Sequence, residues 1–247
     1  MEIVLCEQFG GLPFLSDGFL PIRLQTAVAC VRQHRARQIG EPILPLAQYL
    51  DPPTARAIYS KLMDVHDQHV ISPLDKQRDE DCTRARKFVS QVVDGWHPLM
   101  FFPIQVYSFD NSDVIGFSNA AIPQHIFLNE ICWDAEQELH EQILHETAHV
   151  WMYFVEELWA FSSPKAPPTY SLPSGISGKT ATSMLRAAFV AAVLAKYYKK
   201  RGDCFAKRSE YLLDYCRSCL DPIASDDDLT SIGMQVREAI LVSTRSI

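Results

Sequence analysis

No stretch of this chain approaches the ~18 uninterrupted apolar residues that a membrane-crossing helix needs. Ala187 to Ala195 is the longest candidate, and charges flank it. A membrane partner is therefore not expected. Nor does a basic segment precede an apolar run at the start, where Met1-Glu2-Ile3-Val4-Leu5 is acidic, so no secretory signal is visible. Positive charge is not in excess either. With 23 basic against 30 acidic residues the net charge is −7, which argues against nucleic acid as a partner. The one basic cluster, Lys196-Tyr197-Tyr198-Lys199-Lys200-Arg201, is expected to be the cationic end of a helix, where the helix dipole favours it. A cysteine framework is missing too. Seven cysteines, at 6, 30, 82, 132, 204, 216 and 219, are an odd number without regular spacing. That usage suits free thiols in a reducing cytoplasm, the expected location. Cys216-Arg217-Ser218-Cys219 is a lone C-x-x-C without a second pair or thioredoxin-like surroundings, and it reads as two buried helical thiols. No internal repeat is present.

What remains is an ordinary globular composition, 47% hydrophobic and 21% charged over 247 residues. That length supports one substantial core. The expectation is a single domain, 1–247, with a helical N-terminal part over 1–100 and a second part over 101–247. Apolar spacing predicts helices from Gln25 to Arg37 and from Asp51-Pro52-Pro53 through Ala55 to Val65. A third, from Asp75 to Val93, has Phe88, Val89, Val92 and Val93 as its inner face. Pro103 to Phe109 alternates as a half-buried strand does. Asp110 to Asp113 is turn-like, with Val114 to Phe117 expected to pair back across it, and His125 to Asn129 is a further short strand. Ser162 to Gly178 is a Pro-, Ser- and Gly-rich loop. Helices then follow over Thr180 to Arg201, Phe205 to Leu220 and Asp227 to Val242.

Between the last of these strands and that loop lies the most informative string, His145-Glu146-Thr147-Ala148-His149. On a helix, residues i and i+4 share a face. Two imidazoles so spaced can converge on one metal ion at about 2.0–2.1 Å each. Glu146 projects beside them, able to polarise or deprotonate a water on the ion. Helical context supports the string. Trp133-Asp134-Ala135-Glu136-Gln137 predicts a helix start, with Asp134 as N-cap and Gln137 as its capping-box partner. Glu138 to Phe161 contains no Gly or Pro, and Leu139, Ile143, Leu144, Ala148, Val150, Trp151, Phe154, Val155 and Leu158 form a broad apolar surface. Histidines in so buried a helix need partners, and a metal ion satisfies both.

A mononuclear site normally takes a third protein ligand. The extended pattern H-E-x-x-H-x-x-G-x-x-H is absent: Met152 stands at the glycine position and Val155 at the last histidine, and no histidine follows His149. Glu156, seven residues on, would lie about 10.5 Å along the axis and cannot reach the same ion. Glu156 and Glu157 are expected to be surface charges or groups that act through a ligand. Asp203, Glu210, Asp214, His125 and water stay open as the third ligand, while His140 fits poorly by helical angle.

From about Val114 to Arg201, a third of the chain, the sequence resembles bacterial HExxH-domain proteins associated with peptide natural products. The likeness rests on Gln124-His125-Ile126-Phe127-Leu128-Asn129, on Leu144-His145-Glu146-Thr147-Ala148-His149, and on Leu185-Arg186-Ala187-Ala188-Phe189-Val190. That family looks like iron(II)- and 2-oxoglutarate-dependent peptide β-hydroxylases. The resemblance implies His145 and His149 as iron ligands and a basic side chain pairing the 2-oxoglutarate carboxylate. Where the family has a further histidine this chain has Arg186, and where it has an arginine this chain has Lys179. Arg186 suits a bidentate carboxylate clamp, and equally a helix arginine reaching for solvent.

Three readings follow. The first is a hydroxylase with iron(II) and 2-oxoglutarate, acting on a peptide or small-molecule substrate in natural-product biosynthesis. The second is a zinc metallopeptidase with Glu146 as general base. The third is a degenerate zincin-like module that binds a peptide or partner without turnover. The fold expected for all three is α+β and mostly helical, with a small antiparallel sheet packed beside the motif helix.

Overall fold

The computed structural model describes residues 8–63, 71–110, 114–224 and 229–247. Contacts within the chain divide it into two compact units, residues 22–158 and residues 1–21 with 159–247. Mostly helical α+β architecture is the outcome, as the periodicities predict.

In the unit of residues 22–158, helix α1 (Pro21–Gln38) buries Leu24, Val28, Ala29, Arg32 and Ala36 along one stripe. Helix α2 (Pro52–Leu62) starts where the proline pair predicts: the Asp51 carboxylate accepts from the Thr54 amide at 3.3 Å, with Pro52 in the first turn. Residues 64–70, including Val65 of the expected helix, lie outside the described residues. Helix α3 (Lys76–Val92) is capped likewise by Asp75, which accepts from the Arg78 amide at 2.9 Å. Its inner face is Cys82, Ala85, Val89 and Val93, at spacings of three and four. Phe88, expected inward, falls one position off this stripe and is exposed, its ring stacked on His140 at 4.4 Å.

Four strands form one sheet in the order β1 (Ile71–Pro73), β2 (Gln105–Phe109), β4 (Ile122–Asn129), β3 (Gly116–Asn119). The expected pairing of Val114–Phe117 back onto Pro103–Phe109 does not occur. Instead β3 runs antiparallel to β4, and β2 runs parallel to β4 from Gln105↔His125 to Phe109↔Asn129, so the sheet is mixed. Burial explains the order. All eight residues of β4 are buried, which demands a central place, whereas short β3, with Gly and Ser, takes an edge. One face of the sheet is aromatic, with Phe117 stacked on Phe127 at 4.5 Å and edge-on to Phe109 at 5.1 Å. The other face carries Gly116 and Ser118 opposite Leu128 and Ile126.

Against that second face lies helix α4 (Glu136–Leu158), 23 residues and about 35 Å long. It begins later than the expected Asp134 cap. Asp134 is itself helical and closes a one-turn 3-10 helix, Glu130–Trp133, whose own cap is Asn129. Farther along, the Trp151 indole donates to Leu99 O at 2.8 Å and packs on Phe102 and Phe154. Glu157, expected to be a surface charge or an auxiliary of the metal site, is the buried counterion of Arg32. Their contacts are 2.7 and 3.0 Å, and Tyr59 donates to the same carboxylate at 2.6 Å. Arg32 also donates to Tyr49 O at 3.0 Å and to Gln124, whose amide in turn bonds Leu50 O and Pro103 O. A single arginine thus ties α1 to β4, α4 and the turn before α2.

In the unit of residues 1–21 with 159–247, helix α5 (Ala181–Arg201) is capped by Thr180, which accepts from the Ser183 amide at 3.3 Å. The expected inward residues Leu185, Phe189, Val193 and Leu194 are all buried. The basic cluster is the helix end, as predicted, and Lys196 donates to Phe14 O and Leu15 O at 3.1 and 3.2 Å. Within the expected loop a short hairpin forms, β5 (Tyr170–Ser171) with β6 (Ser177–Lys179). Helices α6 (Ala206–Leu220) and α7 (Ser231–Thr244) complete the unit. The expected start of the latter, Asp227, lies outside the described residues. A β-carbon at Gly233 would stand 2.1 Å from Phe161 O, so only glycine lets α7 approach that backbone. Cys216 and Cys219 are buried helical thiols, each pushed up to about 12 by burial, which leaves them unreactive. Among the described residues no helix is long and apolar enough to cross a membrane.

Candidate metal centre

From Leu139 to Val155 every residue of α4 is buried except two, His145 and His149. The helix is covered almost all round, and the single gap opens where the imidazoles stand. Sequence periodicity predicts the burial but not the gap. The two ring centroids are 5.0 Å apart, with planes at 60°. Two imidazoles sharing one tetrahedral ion at Zn–N distances of about 2.0–2.1 Å would have centroids about 5 Å apart. The pair therefore suits joint ligation without moving the helix. The His149 ring stacks on Tyr153 at 6.0 Å and 16°.

Glu146, the next residue round the helix, lies between His145 and β3 and is 2% exposed. Ser118 Oγ donates to its Oε2 at 2.7 Å, while its Oε1 lies 3.8 Å from His145 Nε2. Burial pushes the Glu146 carboxyl above its ordinary range, and the His145 ring and the Ser118 hydroxyl pull against that rise. A carboxyl raised on folding favours the folded state where it is protonated, below its ordinary value of ~4.3. That contribution is lost as pH climbs through the raised value. In metal-free protein, Glu146→Gln is thus expected to gain stability relative to the unsubstituted chain as pH rises above about 4, as a widening difference in urea midpoint. A difference constant with pH would mean that the carboxyl behaves as if in water.

The remaining candidates are distributed as follows. His125 sits buried in β4, its Nδ1 2.7 Å from Pro123 O and its ring stacked on Tyr107 at 5.8 Å. Burial lowers its pKa, against the Pro123 contact that raises it. It is a packed core histidine. His140 is buried against Phe88 on another face of α4. Lys179, Arg186, Asp203, Glu210 and Asp214 belong to the unit of residues 1–21 with 159–247. There Lys179 closes β6 and Arg186 is half-buried on α5. Asp203 and Glu210 are exposed, and Asp214 is paired with Arg217 at 2.9 Å. Among the described residues, no group of three or more His, Cys, Asp or Glu is placed to hold an ion. The donor set brought together is two imidazoles with one carboxylate beside them.

Ser118 is the site residue that sequence reasoning missed. The small residues at 116 and 118, alternating with Phe117, are the available signal: they mark the face on which a helix can press against the strand. Compared with known proteins, the chain matches no family model and no curated protein.

Proposed function

We propose that this chain is a mononuclear metal-dependent enzyme in which His145 and His149 are the nitrogen ligands. With iron(II), it hydroxylates a peptide or amino-acid-like substrate using 2-oxoglutarate. One observation carries the metal reading: the only opening in the burial of α4 from residue 139 to 155 coincides with two imidazoles set about as far apart as ligands of one ion. The iron form is supported by the resemblance of residues 114–201 to the HExxH-domain proteins. A bound iron supplies redox chemistry and open coordination positions to such a site. The protein's part is to hold and orient. Glu146 offers Oε1 on the His145 side, and β3, the edge strand of the sheet among the described residues, is proposed to offer main-chain groups to an extended peptide.

A second reading is favoured by a specific observation. Glu146 is buried with a raised pKa, the state in which a carboxylate is a better proton acceptor near neutral pH. With zinc, the same residues suit a metallopeptidase in which Glu146 removes a proton from water.

Metal analysis after anaerobic and aerobic purification without chelators separates the readings, combined with assays for succinate and for peptide cleavage. Expected is about one equivalent of iron in the anaerobic preparation, with succinate formed from 2-oxoglutarate only in oxygen. One equivalent of zinc with chelator-sensitive cleavage would replace the hydroxylase by the peptidase. Less than ~0.1 equivalent of any transition metal would remove both and leave a binding module.

A further inference from the structure

A helix alone does not aim Glu146. Its side chain is flexible, and burial removes the water that would otherwise hold the carboxylate. Among the described residues its one hydrogen bond comes from β3, and the two carboxylate oxygens are thereby divided. Oε2 accepts the Ser118 hydroxyl at 2.7 Å, and Oε1 is left 3.8 Å from His145 Nε2. Ser118 is itself fixed by the same helix, since the Tyr153 phenol donates to Ser118 O at 3.1 Å. Tyr153 stands two turns beyond Glu146, and His149 lies between them, stacked on the Tyr153 ring. Gly116, on the same face of β3, completes the arrangement. A β-carbon there would lie 3.3 Å from Leu128 Cδ2 on β4 and 3.5 Å, ordinary contact distance, from Gln142 Oε1 on α4, so a small residue at 116 keeps this face of the strand close to its neighbours.

We propose that Ser118 is the positioning residue of this centre: its hydroxyl pins Oε2 of Glu146, so that Oε1 is the oxygen presented toward His145. The inference rests on the metal reading above. Because Ser118 lies on an edge strand, the aim of the carboxylate is set by the strand along which an extended substrate would lie. Removing the hydroxyl leaves a buried carboxylate without its partner and free to turn, whereas threonine keeps the donor.

The test uses the full chain with cobalt(II) alone as the probe, because visible cobalt bands respond to groups around the ion. The unsubstituted protein is expected to bind about one equivalent. Ser118→Ala is expected to keep that affinity within about twofold, since both imidazoles are untouched, yet to shift the visible bands as Glu146→Gln does. Ser118→Thr is expected to keep the original bands. In metal-free protein, urea unfolding of Ser118→Ala, Glu146→Gln and the double variant is expected to be non-additive, with a coupling of about tenfold in the unfolding constant. Unshifted bands in cobalt-loaded Ser118→Ala, or additive unfolding effects, overturn the role of Ser118 alone. No cobalt binding by the unsubstituted protein overturns the metal reading and the role with it. Should Ser118→Ala fail to fold, Ser118→Cys, of similar size but a weak donor, is read in its place against the same outcomes.

Discussion

His149→Ala is expected to weaken metal binding by more than about a hundredfold, measured by competition with a chelator, while the urea midpoint of metal-free protein moves little. The reasoning combines exposure with geometry. Both imidazoles are half-exposed in a helix otherwise covered, so their removal leaves little cavity. With two nitrogen ligands in the proposed set, loss of one removes half of it. Losing groups that merely orient ligands costs about 10–100-fold, and a ligand itself costs more. His145→Ala is expected to do the same. His140→Ala supplies the contrast. That ring is buried against Phe88, so its removal should lower stability and leave metal affinity unchanged. If His149→Ala binds zinc or iron within threefold of the unsubstituted protein, the ion is held elsewhere.

The largest stability effect is expected at Arg32. This guanidinium has no solvent exposure, and Glu157 is its counterion at 2.7 Å. Arg32→Met should destabilise the chain by up to about 3–5 kcal/mol, because the buried Glu157 carboxylate loses its bidentate partner and keeps only the Tyr59 hydroxyl and the more distant Arg35, 3.8 Å away. Arg32→Lys should recover little, since an ammonium cannot meet Glu157 bidentately while also reaching Tyr49 O. The double variant Arg32→Met with Glu157→Leu should regain much of the loss, because replacing a buried pair by apolar side chains is often neutral or better. Urea unfolding measures all three. A loss under ~1 kcal/mol for Arg32→Met would mean that water reaches the pair.

What could be read from the residues, and what could not, divides by the range of the interaction. Helices α1, α2, α3 and α5 follow from apolar spacing and, for α2, from the Asp51-Pro52-Pro53 start, all local signals. The placing of His145 beside His149 is local too, set by i and i+4 on one helix. Sheet order was not legible, because β3 and β2 both pair with β4 and the sequence places no label on the central strand. The role of Glu157 was hidden for a similar reason: its partner lies 125 residues away, and nothing near it marks an acidic side chain as buried. Asp134 misled, since a good capping residue was spent on the turn before the helix. Ser118 and Glu146, 28 residues apart on strand and helix, met only once the register of β3 was known.

Strand β4 is bonded on both flanks and buried at all eight positions, whereas β3 is held on one flank over four residues. Amide protons of β4 should therefore wait for global unfolding before they exchange with deuterium, while those of β3 escape through local fraying. The hydroxyl that grips Glu146 is mounted on the segment that breathes, and the imidazoles on the rod that does not. A peptide laid along β3 would quiet that breathing, so the carboxylate would be steadiest when a substrate is in place.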